Sequence, residues 1–275
     1  DDDGGAVAVS SSDYADSGSL YYSNEGVRGG ALLIESSQVD VEDCQLTGNE
    51  AEDQGGGIAI VGGSHVHMER LLVTGNDAEV DGGGLSISDL EDDDSWIRNS
   101  IIQDNQSGVT GGGVSISGNE AVFIFANNHI LGNATVLEGA GVHIDAEESE
   151  GLYVWSNLIG WNDGTSGLYC EEGIGASVAY NTGFSTTSGI NFTIGEAEDG
   201  GDNEEDNPIL AGFSNDGDAD NDDWSLSSSS PMIDAGPADG TGPSWYTDWS
   251  DLDGSANDRG ATGGPGGDWD WDEDE

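Results

Sequence analysis

The chain has 275 residues and a net charge of −52, from 56 acidic residues against four arginines and no lysine. Such a field excludes nucleic acid as a partner and disfavours polyanionic substrates such as pectate or alginate. No stretch reads as a transmembrane segment or a signal peptide.

A six-residue phrase recurs from the start of the chain. It reads Gly4-Gly5-Ala6-Val7-Ala8-Val9, Gly29-Gly30-Ala31-Leu32-Leu33-Ile34 and Gly55-Gly56-Gly57-Ile58-Ala59-Ile60. It returns at Gly82–Ile87, Gly111–Ile116 and Gly139–Ile144, and fades at Ser166–Cys170. The last residues of successive copies lie 25, 26, 27, 29, 28 and 26 positions apart. A fixed period of this size marks a solenoid of stacked units. An asparagine closes each unit, at Asn24, Asn49, Asn76, Asn105, Asn133 and Asn162, and gives the same register independently.

Within each unit the apolar residues alternate, as in Leu32/Ile34, Val39/Val41 and Leu152/Val154. Period two predicts strands with one buried face, and no stretch follows the helical period. Each unit is therefore expected to be one turn of a parallel β-helix, with glycine pairs at bends needing positive φ or close backbone approach. A second column precedes the closing asparagine by five positions: Ser19, Cys44, Leu71, Ser100, Asn128 and Asn157, continued by Asn181. Stacked asparagines can bond one another and the bend backbone. The expected fold is all-β: a parallel β-helix of about seven coils over residues 1–195. An acidic loop and an irregular C-terminal cap follow over 196–267, then an acidic tail over 268–275.

The glycine phrase with its downstream asparagine resembles the repeat of polymorphic outer-membrane proteins and related bacterial right-handed β-helices of the pectin-lyase-like superfamily. The chain departs from the polymorphic repeat in lacking Phe at most Phe-x-x-Asn positions, where Leu46, Val73, Ile102, Ile130 and Ile159 stand. Asp206–Leu210, Ser230–Gly236, Asp251–Gly254 and Arg259–Ala261 resemble the closing segment of many secreted bacterial β-helix proteins. The resemblance implies that the coil is a right-handed parallel β-helix and leaves function open, because that superfamily hosts lyases, hydrolases, adhesins and surface fibres.

Acids repeat at matching bend positions, Glu50 with Asp77 and Glu52 with Glu79. Coils about 4.8 Å apart bring such like charges together at roughly 1 kcal/mol of repulsion per pair even in water. Either divalent cations or a high-salt environment would neutralise the stack. Asp216, Asp218, Asp220 and Asp222 begin like a calcium-binding EF-hand loop, but Asn221 replaces the turn glycine and Ser227 the bidentate glutamate. Asp251 and Asp253, with Asp258, form a second candidate Ca²⁺ site; solvated acidic loops are the alternative for both.

Nine and seven positions before the closing asparagine, an outward stripe carries Trp96, Ile124, Tyr153 and Trp155. Such a patch marks a contact: stacked sugars, another subunit, or the C-terminal segment folding back. Trp269 and Trp271 make the acidic tail either a docking peptide or a solvated end. Cys44 and Cys170 lie five coils apart, about 24 Å along the axis, and are expected to be free buried thiols. The potential glycosylation sites at Asn105 and Asn133 fall in the closing column and read as structural; a third is Asn191.

Enzyme signals are weak. Arg28, Arg70, Arg98 and Arg259 stand among acids and read as structural ion pairs. His65, His67, His129 and His143 form no ligand or triad spacing, and the Gly-His-Gly and Arg-Ile-Lys signatures of the hydrolase branch are lacking. A glycosidase-type carboxylate pair stays open among so many acids. The first strand begins almost at once with no helix to cap it, so its open edge could pair head to tail with another subunit. The expected function is a non-catalytic secreted or cell-surface structural protein, cation-stabilised and assembling into fibres or a surface layer. A glycan-binding adhesin is the alternative, and a polysaccharide-active enzyme the third.

Overall fold

Gly55 and Gly56 show why the glycine phrase recurs. Gly55 takes φ +68°, and a Cβ on Gly56 would stand 2.3 Å from the Gly83 carbonyl oxygen of the next coil. Any side chain there would push two coils apart. After this bend the chain enters the first strand of each coil.

The computed structural model describes residues 4–264 and 267, apart from 91–93, 119–121, 146–150, 172–175, 195–197, 245, 247 and 253. Its strands stack in four parallel sheets. The first sheet runs from Val7–Ser10 through Leu32–Glu35 and Ile58–Val61 to Phe192–Ile194, eight strands in all. The second, also of eight, includes Gln38–Glu42, His65–Glu69, Ser95–Arg98, Phe123–Ala126 and Leu152–Trp155. The third has seven three-residue strands and the fourth five two-residue strands. Every pairing joins equivalent strands of neighbouring coils, for example Val39↔Val66 and Ile97↔Phe125↔Val154. The parallel β-helix read from the periodicity is thus the fold.

The alternating apolar residues fill the interior. Ile34, Ile60, Ile87, Ile116 and Ile144 stack along the first sheet, and Val41, Met68, Ile97, Phe125 and Val154 along the second. Each such side chain, removed from water, contributes roughly 1.5–3 kcal/mol. Cys44 and Cys170 belong to this core as free thiols, and burial raises them to about 11 and about 12.

Both asparagine columns are continuous ladders. Asn24, Asn49, Asn76, Asn105 and Asn133 each bond the next closing asparagine through Nδ2 and Oδ1, at 2.8–3.2 Å, ending at Asn162. The second ladder links Asn128, Asn157 and Asn181 and extends to Asn203. The stacked backbone accordingly continues past residue 195, through Glu198–Gly201 and a bridge from Thr182 to Glu204.

The segment after the coils is a lateral strap. Tyr246 and Trp249 lie on the outer face of the second sheet, while Met232, Leu210, Phe213 and Trp224 lie on the third. Phe213 packs against Trp161 with ring centroids 4.4 Å apart, so the acidic stretch does bury an anchor. Arg259, 2% exposed, pins the strap by donating to the carbonyls of Ala235, Asn181 and Asp202, and stands 3.6 Å from Glu204.

Candidate functional site

The strap covers only part of the second sheet. Ile124, Ala126, Trp155 and Ala179 are buried under Tyr246 and Trp249. Trp155 packs on Trp249 at 5.7 Å and donates its indole N–H to Ser177 at 3.0 Å. Tyr153 is partly buried beside them. Of the three contacts left open for the outward stripe, Ile124, Tyr153 and Trp155 thus make the one with the chain's own C-terminal segment, and Trp96 packs at the edge of the same cluster. Trp269 and Trp271 lie outside the described residues.

The earlier coils leave the same sheet open. There a groove of about 420 Å³ is lined by Asp16, Asp40, Glu42, His67, Glu69, Trp96 and Arg98, among others. Register explains the convergence: Asp40, His67 and Trp96 are successive partners across three coils, as are Glu42, Glu69 and Arg98. Trp96 stacks on His67 at 4.8 Å and 13°, and the Arg98 guanidinium sits 4.2 Å from its ring centroid. Glu69 is clamped between Arg70 at 2.7 Å and Arg98 at 2.8 Å. Arg70 also reaches Asp43 at 2.6 Å, and Arg28 lies 3.8 Å from Glu35. All four arginines thus stand in ion pairs. Asp16 is pushed up by burial, but hydrogen bonds from Ser19, Tyr21 and Tyr14 outweigh this and hold it below the usual carboxylate range.

The two acidic segments proposed to bind calcium are largely self-engaged. Asp216 accepts from the Asp218 amide and from Asn221, and Asp222 from the Ser214 amide and from Gln103 at 2.7 Å. Asp218 lies exposed in the same loop, and the Asp220 side chain lies outside the described part. Asp251 accepts from the amides of Asp258 and Gly264, and Asp258 from the amide of Asp234. These carboxylates fold turns; Asp253 is outside the described residues. Beside the first loop, burial and the charges of Asp222 and Asp216 raise Asp104, although a hydrogen bond from Gln103 works the other way.

A third arrangement escaped the sequence reading. Among the described residues, one group of three potential metal ligands converges: His65, His67 and Asp94, with donor atoms all within 4.8 Å of one another. His65 and His67, whose spacing showed no ligand pattern, are thus brought together with Asp94 by the fold. Alternation puts His65 and His67 on one outer face, and Asp94, just before the neighbouring strand, comes from 27 residues beyond His67. The signal in the sequence was His-x-His on a strand; the missing partner was set by coil length.

The fourth sheet carries a second open surface. Glu25, Glu50 and Asp77 pair in register along it, and with Glu52 and Glu79 they line a groove of about 530 Å³. Asp77 is raised, first by burial and then by the charge of Glu79.

The geometry defines a right-handed parallel β-solenoid with open acidic faces. Residues 3–159 match the family model of the right handed beta helix region, more than half of the chain, and the protein belongs to that family. No curated protein and no solved structure is significantly similar to it. No helix is long and apolar enough to cross a membrane among the described residues.

Proposed function

We propose that this is a non-catalytic secreted or cell-surface structural β-helix whose acidic faces are neutralised by divalent cations such as Ca²⁺, allowing copies to associate into fibres or a surface layer. The fourth-sheet ladder carries this reading. Glu25, Glu50 and Asp77 stand in register with Glu52 and Glu79 beside them, and no basic residue lines that groove. Carboxylates at coil spacing repel, and cations collecting along the row relieve the repulsion within a coil stack and between stacks. Membership of the pectin-lyase-like superfamily and kinship with polymorphic outer-membrane repeats are part of the same reading, supported by the glycine phrase and closing asparagines. Light scattering during a calcium titration at matched ionic strength, reversed with EDTA, tests it. Reversible growth into long particles is expected; a monomer at every calcium level would overturn the assembly.

A second reading is a glycan-binding module using the groove beside Trp96, supported by its mixture of aromatic, acidic and basic side chains. Trp96 already stacks on His67 and Arg98, which weakens it as a sugar platform. Retained glycan binding in Trp96→Ala would eliminate this reading, and turnover of a polysaccharide abolished by one carboxylate change would replace both with an enzyme.

A further inference from the structure

We infer that His65, His67 and Asp94 form a binding site for a divalent transition-metal ion of the Zn²⁺ class, distinct from any diffuse calcium on the acidic faces. The donor set is selective. Calcium takes oxygen ligands, whereas two imidazoles and one carboxylate suit zinc and its first-row neighbours.

The contacts of His67 call for a cation. Its Nδ1 lies 3.2 Å from Asp40 Oδ1 and its Nε2 lies 3.0 Å from the backbone oxygen of Asp94. Both neighbours are acceptors, and a neutral imidazole has only one N–H to give. The Nδ1–H donated to Asp40 leaves the Nε2 lone pair facing a carbonyl oxygen. A metal at Nε2 takes up this lone pair once the Asp94 backbone oxygen, at 3.0 Å, turns off its axis. His65 repeats the situation. Its Nε2 is buried, 2.7 Å from Asp94 Oδ1, yet the contact lacks the direction of a hydrogen bond. One nitrogen of each ring and a carboxylate oxygen of Asp94 thus converge, and the contact between His65 and Asp94 is not satisfied by a hydrogen bond.

The supports are those of a metal site. Asp40 holds the far nitrogen of His67, the carboxylate–histidine–metal relay that fixes tautomer and ring orientation. Trp96 stacks on His67 and fixes its plane, and the two histidine rings meet edge to face with centroids 4.6 Å apart. Zinc bonds of about 2.0–2.1 Å place tetrahedral donors roughly 3.3 Å apart. With all donors within 4.8 Å, the widest pair closes by at most about 1.5 Å on binding. Three protein ligands leave the fourth position for water or for a ligand in the adjoining groove.

Calorimetry of the full chain, stripped with EDTA and titrated with Zn²⁺ in excess Ca²⁺, tests this. The calcium fills the acidic faces, so one remaining zinc site per chain is expected. His65→Ala and His67→Ala are each expected to weaken it at least a hundredfold, and Asp40→Asn about ten- to a hundredfold. Circular dichroism establishes that the variants are folded. Independently of any variant, Co²⁺ bound to the wild-type chain is expected to give visible bands characteristic of nitrogen ligation. Zinc heat that disappears under calcium, a site unchanged in the folded His65→Ala/His67→Ala double variant, or a cobalt spectrum like that of the aqueous ion would each overturn the assignment.

Discussion

Asn105 donates its side-chain amide to Asn133 Oδ1 at 3.0 Å and to the Val73 carbonyl at 2.9 Å, while its own Oδ1 accepts two bonds from Asn76. One side chain therefore joins three successive coils, at 1% exposure. Asn105→Ala would take the acceptor from the Asn76 backbone N–H and from one of its Nδ2 protons, at roughly 1–3 kcal/mol each. A loss of about 3 kcal/mol or more in denaturant unfolding is expected. Asn105→Asp should be worse, because a buried charge would face two acceptors. A loss under about 1 kcal/mol for the alanine variant would show that the ladder adds little to stability.

The strap yields the second prediction. Trp249 is 1% exposed against Trp155 and Tyr246, and its indole N–H donates to the Thr241 carbonyl at 3.0 Å. Trp249→Ala should behave as a core truncation of about 3–5 kcal/mol and expose the second sheet to a hydrophobic dye. Trp155→Ala should do the same. An unchanged melting temperature for both, with altered ligand binding or assembly, would restore the stripe as an external contact face.

The sequence carried the solenoid almost whole, because a coil repeats its own constraints. Gly56 and Asn105 are demanded by neighbours one period away, so their spacing is visible in one dimension. The strap obeys no period. Nothing in the spacing of Trp249 or Met232 says which coil it meets, so the partner of Ile124 and Trp155 stayed open among sugars, another subunit and the C-terminal segment. The His65/His67/Asp94 group was hidden for a related reason. Its third member lies at the end of a coil insertion, and only the register His67↔Trp96 brings it beside the other two.

His129 offers a pH test. It sits in the column Ile101, His129 and Leu158, outside the coil, and Gly260 of the strap closes over it. Both ring nitrogens are buried without a partner, and burial lowers its pKa to about 3. The unfolded chain takes up this proton near the ordinary value of 6.5, whereas the folded chain refuses it until about pH 3. Stability from this residue is thus full above about 6.5 and falls as the pH drops toward 3, by on the order of 3–5 kcal/mol. His129→Leu, which matches the column, should be more stable than wild type, with a margin that grows on acidification. Relief of carboxylate repulsion affects both proteins alike, so the difference isolates the histidine. A margin independent of pH would mean that His129 is protonated or solvated in the fold.

Asp104 separates cation binding from simple acidity. Burial, then the charges of Asp222 and Asp216, raise its folded pKa, while Gln103 partly offsets them by donating at 3.0 Å. A raised carboxylate binds its proton more tightly folded than unfolded, so stability is gained as pH falls through that raised value and lost above it. At neutral pH without divalent ions, Asp104→Asn should therefore melt a few degrees higher than wild type, and the gap should close on acidification. Calcium adds the discriminating arm. If Asp104 joins Asp216 and Asp222 around an ion, calcium should raise the wild-type melting temperature more than that of the variant and reverse their order. If these acids are merely solvated, calcium should shift both proteins equally at matched ionic strength, and the loop would be removed from the cation-binding surface.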